Sequence, residues 1–126
     1  GKIIVDKSTG EKEDFDSILF CSWDFKGNVL IPKSIEIIES YSFQNCLDID
    51  GIQFETNSKL RIIGTKSFSC TSITKIAIAS NEEIICSCSF SICSNLTEIE
   101  FTENSKLQTI EKDAFQYSGI GSFFQI

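Results

Sequence analysis

Apolar residues return along this chain at a steady interval. A Phe stands at positions 20, 43, 68, 90 and 115, with gaps of 23, 25, 22 and 25 residues. Five residues before each of the last four lies an Ile: Ile38, Ile63, Ile85 and Ile110. Three positions earlier still come Ile35, Leu60, Glu82 and Leu107. Downstream of each Phe is a second apolar set: Ile49, Ile52 and Phe54, then Ile73, Ile76 and Ile78, then Leu96, Ile99 and Phe101. The ends of these sets alternate apolar and polar, as a strand buried on one face does.

The match between units is closest at an offset of 47 residues (Phe43 to Phe90). Phe54-Glu55-Thr56-Asn57-Ser58-Lys59-Leu60 corresponds to Phe101-Thr102-Glu103-Asn104-Ser105-Lys106-Leu107. The polar stretches in both are turn chemistry, because Asn and Ser side chains bond nearby backbone. Each unit therefore predicts a strand, a polar turn, a second apolar segment and a Cys-containing bend. A unit of 22–25 residues falls within the range of about 20–29 for leucine-rich repeats. One such coil cannot bury its own apolar set, whereas stacked coils build a continuous core.

The predicted fold is a leucine-rich-repeat solenoid, β-rich, with short parallel strands stacked coil on coil and little helix. Residues 20–126 hold about four to five repeats. Phe43, Phe68, Phe90 and Phe115, with Ile38, Ile63, Ile85 and Ile110, form the expected structural core. Each buried ring contributes about 1.5–3 kcal/mol by transfer from water. Residues 1–19 do not fit the repeat. Ile3-Ile4-Val5, the Ser8-Thr9-Gly10 turn and the charges that follow predict an N-terminal cap or degenerate coil that covers the open strand edge.

Two places depart from the pattern. Glu82 stands where an apolar residue is usual, which predicts a loosened coil or one bent outward. Gly119 to Ile126 begins a further coil without a polar cap. Because terminal repeats need such a cap, the expectation is a fragment of a longer array, or an end covered by another chain, including end-to-end self-association.

The segment Ile31-Pro32-Lys33-Ser34-Ile35-Glu36-Ile37-Ile38-Glu39-Ser40-Tyr41-Ser42-Phe43-Gln44-Asn45-Cys46 resembles the unit of the BspA-like, or Treponema pallidum type, leucine-rich repeats. Leu107 to Phe115, ending Asp113-Ala114-Phe115, is similar to it as well, and Ala79 replaces the turn Pro. The resemblance implies a surface or secreted adhesion and interaction protein of a host-associated microbe, binding a protein or another host-surface ligand.

Composition narrows the alternatives. The net charge of −7 disfavours nucleic acid and anionic membrane, which both need clustered Lys and Arg. No apolar run approaches the roughly 18 residues of a membrane span, and Gly1-Lys2-Ile3-Ile4-Val5 is short for a signal peptide. The chain has no His, so the usual general base and triad partner are missing. No phosphate loop or nucleophile elbow occurs. The expectation is a non-enzyme with no cofactor.

Six cysteines, Cys21, Cys46, Cys70, Cys86, Cys88 and Cys93, sit at or near the bends. They read first as buried thiols acting as small hydrophobes. Disulfides between neighbouring coils are a second reading. Metal binding at Cys86, Cys88 and Cys93 is the third, without the paired C-x-x-C or His that structural zinc favours; the chain is read as holding no metal.

The outward positions of the alternating strands should line the concave face of the solenoid. In successive coils they are Asp50, Gly51 and Gln53, then Thr74, Lys75 and Ala77, then Thr97, Glu98 and Glu100. Asp50, Gln53, Thr74, Lys75, Thr97, Glu98 and Glu100 are the binding candidates, with Lys75 and Glu98 a weak cross-strand pair. Asn95-Leu96-Thr97 is a glycosylation sequon that the repeat also demands for its Leu. The same face suits a cell-surface or secreted adhesion module, a cytoplasmic scaffold within a larger protein, or a spacer without a specific ligand.

Overall fold

A computed structural model of the chain describes residues 1–120. The uncapped stretch anticipated at the end of the sequence lies mostly in residues 121–126, outside the described residues. Among the described residues there are ten short strands and no helix. They are β1 (Ile3–Asp6), β2 (Ser17–Cys21), β3 (Gly27–Ile31), β4 (Ile37–Ile38), β5 (Ile49–Phe54), β6 (Ile62–Ile63), β7 (Lys75–Ile78), β8 (Ile84–Ile85), β9 (Glu98–Phe101) and β10 (Thr109–Ile110).

Each turn of the chain gives one strand to each of two sides. On one side β2, β4, β6, β8 and β10 stack in parallel, so that Ile18, Ile38, Ile63, Ile85 and Ile110 stand in one register. β-Branched side chains suit such a pleated surface. Ile38, Ile63 and Ile85 are fully buried and Ile110 is half-buried. β1 folds back antiparallel onto β2 and pairs the edge of this ladder. On the other side β3 pairs with β5 and β7 with β9, all parallel.

A third column runs along the corner that holds the Phe residues. Phe43 N–H donates to Ser67 C=O at 2.7 Å, Phe68 N–H to Ser89 C=O at 2.8 Å, and Phe90 N–H to Ala114 C=O at 2.7 Å. In each coil two left-handed residues flank the Phe: Tyr41 and Asn45, Lys66 and Cys70, Cys88 and Ile92, Asp113 and Tyr117, with φ between 54° and 65°. Left-handed backbone at these two positions accompanies alternate N–H groups, such as those of Tyr41, Phe43 and Asn45, bonding to the next coil. It is unusual for Ile92, since a β-branched residue is poorly suited to that region.

Phe43, Phe68, Phe90 and Phe115 consequently form one stack. Ring centroids lie 4.9, 5.3 and 5.2 Å apart, with planes inclined by 10°, 7° and 3°. These spacings follow the rise between coils, about 4.8 Å for paired strands. Phe20, although it shares the spacing, is 45% exposed on β2 opposite Ile4. The ladder aligns Ile18 with Ile38, so the ring position of that first coil falls at Trp23, which is also exposed.

One expectation is corrected. Glu82 does not bend its coil outward. It is 0% exposed, in the interior position that Ile35 and Leu60 occupy in the preceding coils. The adjoining β8 is clamped by β6 before it and β10 after it, so the side chain is carried inward. Neither carboxyl oxygen has a hydrogen-bond partner among the described residues. Burial raises its pKa well above the ordinary 4.5.

Strand pairing is not continuous on the side of β3, β5, β7 and β9. No ladder joins β5 to β7. Turn lengths alternate across this break. Five residues separate Phe54 from Leu60 and Phe101 from Leu107, but only three separate Ile31 from Ile35 and Ile78 from Glu82. The corner before β7 is shorter as well, with four residues between Phe68 and Ile73 against five between Phe43 and Ile49. The same alternation recurs at the β3/β5 and β7/β9 junctions, which stay paired, so turn length alone does not part the strands.

The Glu82 environment sets a pH dependence. Below about pH 4.5 the carboxyl is neutral whether the chain is folded or not. As pH rises, the unfolded chain releases the proton while the fold retains it, so stability falls. Glu82→Leu is expected to stabilise the fold at pH 7 by about 1–3 kcal/mol, the usual cost of an unsatisfied buried group. Urea unfolding from pH 4 to pH 8 should show this gain shrinking on acidification; a gain that grows on acidification contradicts the assignment.

Candidate functional site: the exposed strand face and its cleft

Alternation along β5, β7 and β9 sends Ile49, Ile52, Ile76 and Ile78 into the core and their polar neighbours outward. Asp50, Gln53, Thr74, Lys75, Thr97, Glu98 and Glu100 are all exposed. Asp50 sits at a register shift, where Gly27 aligns with Ile49 and Asn28 with Gly51. Gln53 accepts a hydrogen bond from Asn28 Nδ2 at 3.2 Å through Oε1. A Cβ at Gly51 would come within 2.5 Å of Asn28 Oδ1, so that exposed amide would have to swing aside.

Lys75 aligns with Glu98, and Ala77 with Glu100. No ion pair within 4 Å joins Lys75 to a carboxylate among the described residues. The ion pairs instead run along the other side of the coils: Lys12 to Glu36 at 2.7 Å, Glu36 to Arg61 at 3.5 Å and Arg61 to Glu83 at 3.7 Å. That alternating row stitches successive coils, although exposed pairs contribute little individually.

The break between β5 and β7 opens a cleft of about 650 Å³. Leu30, Phe54, Ala77 and Ala79 supply its apolar surface above the buried Ile52, Ile76 and Ile78, and Gln53, Lys75 and Glu100 stand among its polar lining. Its two ends are tied. Ser72 N–H donates to Ile49 C=O at 2.9 Å, and Asn81 Nδ2 donates to Ser58 C=O at 3.0 Å. The structure therefore brings three of the sequence candidates together at the cleft. Asp50 and Glu98 on the strands, and Thr74 and Thr97 just before them, lie away from its lining. Sequence reasoning missed the contribution of Leu30 and of the turn Glu55-Thr56-Asn57-Ser58. No sequence signal marks this gap, since five- and three-residue turns also alternate across the paired junctions. In the sequon, Leu96 is buried while Asn95 and Thr97 are exposed.

All six cysteines are free thiols. Cys93 lies in the core, with Sγ 3.0 Å from Phe68 C=O and 3.4 Å from Thr71 Oγ1. Cys46 Sγ points to Cys21 C=O at 3.6 Å. Burial, with the neighbouring Cys46 thiol, pushes Cys21 up to about 12. Burial raises Cys46, Cys86 and Cys93 too. Among the described residues no group of three His, Cys, Asp or Glu side chains could hold a metal ion. No described helix is long and apolar enough to cross a membrane.

Parallel strands stacked one coil upon the next, with a ring column along one corner, define a leucine-rich-repeat solenoid. The chain belongs to the BspA type leucine rich repeat family, whose repeat region matches residues 14–125 in six copies. It is similar to the crystal structure of the pneumococcal vaccine antigen PcpA, with 27% identity and a TM-score of 0.69 over 72% of this chain and 22% of that one. It is also similar in fold to a leucine rich cell surface protein of Faecalibacterium prausnitzii A2-165, with 17% identity and a TM-score of 0.52 over 87% of this chain and 37% of that one. The chain thus spans about a fifth of the first protein's length and about a third of the second's. No match was found among curated proteins.

Thiol accessibility offers a check on the packing. Native labelling with a maleimide, read by mass spectrometry, should reach Cys70 and Cys88 before Cys21, Cys46 and Cys93, which are buried and held as unreactive thiols. Equal labelling of all six without denaturant contradicts the buried assignment.

Proposed function

We propose that this chain is a protein-interaction module that binds a partner through the exposed face of β5, β7 and β9. We further propose that it acts at the cell surface or as a secreted protein of a host-associated microbe, in adhesion or ligand recognition. Membership in the BspA type family and the likeness to a pneumococcal vaccine antigen support the surface placement. The same resemblance supports a binding rather than a catalytic role, because the carboxylates on β9 are side chains of a solvated strand surface.

One observation carries the reading of the face. Its outward residues include Asp50, Lys75, Glu98 and Glu100, none of them in an ion pair among the described residues. Charges left unpaired over a rigid, well-buried scaffold remain available to a partner, and charge complementarity then sets specificity and association rate. The curved arrays of repeat proteins offer extended surfaces of this kind.

Charge reversal tests it. Lys75→Glu together with Glu98→Lys and Glu100→Lys should change the set of proteins captured from a host-cell surface extract. Folding stability should stay within about 0.5 kcal/mol, since the sites are exposed. An identical set of captured proteins with the fold intact removes the strand face as the binding surface.

A further inference from the structure

We propose that the cleft over β5 and β7 is an anchor site for apolar side chains carried on a basic segment of a partner protein. This rests on the reading of the strand face as the interaction surface and names the chemistry that the face selects.

Shape limits the occupant. An inserted strand would need β5 and β7 held about 9.6 Å apart, twice the normal spacing of paired strands. The bonds from Ser72 to Ile49 and from Asn81 to Ser58 tie the coils together at both ends of the gap. These ties hold β5 and β7 too close for a further strand between them, so the half-open depression of about 650 Å³ receives side chains from above. Leu30, Phe54, Ala77 and Ala79 give it apolar walls over a floor of Ile52, Ile76 and Ile78. Such a pocket at the centre of a polar face is the usual setting of an interface hot spot, where an aromatic or Arg anchor is desolvated.

Charge selects the bearer of those side chains. Glu55 and Glu100 stand at the lip, and neither is in an ion pair among the described residues. Lys75 is the single cation among the lining residues. Asp50 and Glu98 add negative charge along the same strands. An acidic rim over an apolar floor complements a basic segment with an aromatic or aliphatic residue.

Three indole probes that differ only in side-arm charge separate these requirements: tryptamine (cationic), tryptophol (neutral) and indole-3-acetate (anionic). In amide chemical-shift titrations of the intact chain, tryptamine should move Phe54, Ala77 and Ile78. Its affinity should exceed that of indole-3-acetate on the order of tenfold, as one to two nearby carboxylates allow. Ala77→Trp fills the lip from an exposed position and should abolish these shifts with an unchanged Tm. Glu55→Gln with Glu100→Gln should retain indole binding but lose the preference for the cation. The proposal is overturned if no probe shifts these amides, if Ala77→Trp binds like the parent chain, or if the three probes bind equally. Because the probes need no partner, their failure leaves the charge-reversal test of the strand face standing. Their success alongside an unchanged set of captured proteins would retain the pocket and remove the wider face.

Discussion

Backbone hydrogen bonding from each coil to the next fixes everything else in this fold. The N–H of each stacked Phe reaches the carbonyl before the next one at 2.7–2.8 Å, and the Ile ladder repeats the same rise on the opposite side. Rings attached at that rise must stack, which is why their centroids stay within 4.9–5.3 Å. Near-parallel rings at such centroid distances are slipped sideways, an arrangement that aromatic quadrupoles favour over a face-to-face sandwich. The ladder and the stack are mutually supporting: the backbone sets the spacing, and the apolar column excludes water from those bonds.

The irregularities show how much this frame tolerates. An uncompensated carboxyl at Glu82 stays inside because the strands before and after it are both paired. The parting of β5 from β7 is tolerated because the Ile ladder and the Phe corner continue unbroken past it. A solenoid with three parallel columns can lose pairing in one column locally and remain stacked through the other two. The cleft on the exposed face is a direct product of that redundancy.

Much of the architecture is legible in the sequence because side-chain spacing reports coil length. Phe43, Phe68, Phe90 and Phe115 count out the turns, and the alternation from Ile49 to Phe54 marks the face that turns outward. Phe20 shares the spacing without joining the column, because the first coil takes its register from Ile18 and its ring position falls at Trp23. Glu82 misled because polarity was weighed without the strength of its neighbours' pairing. The cleft was not visible there. Turn lengths of five and three residues alternate across paired and parted junctions alike, and whether unequal coils splay apart or adjust depends on packing between them. Gln53, Lys75 and Glu100 therefore read simply as surface residues, and only the fold places them around one gap.

A double-mutant cycle on the ring column tests the central claim most directly. In urea unfolding, Phe43→Leu and Phe68→Leu, one coil apart, should couple by about 0.5–1.5 kcal/mol beyond the sum of their separate effects. Phe43→Leu and Phe115→Leu, three coils apart, should add to within about 0.3–0.5 kcal/mol. Coupling that is absent between neighbours, or as large between the distant pair, contradicts a column built from contacts between adjacent coils.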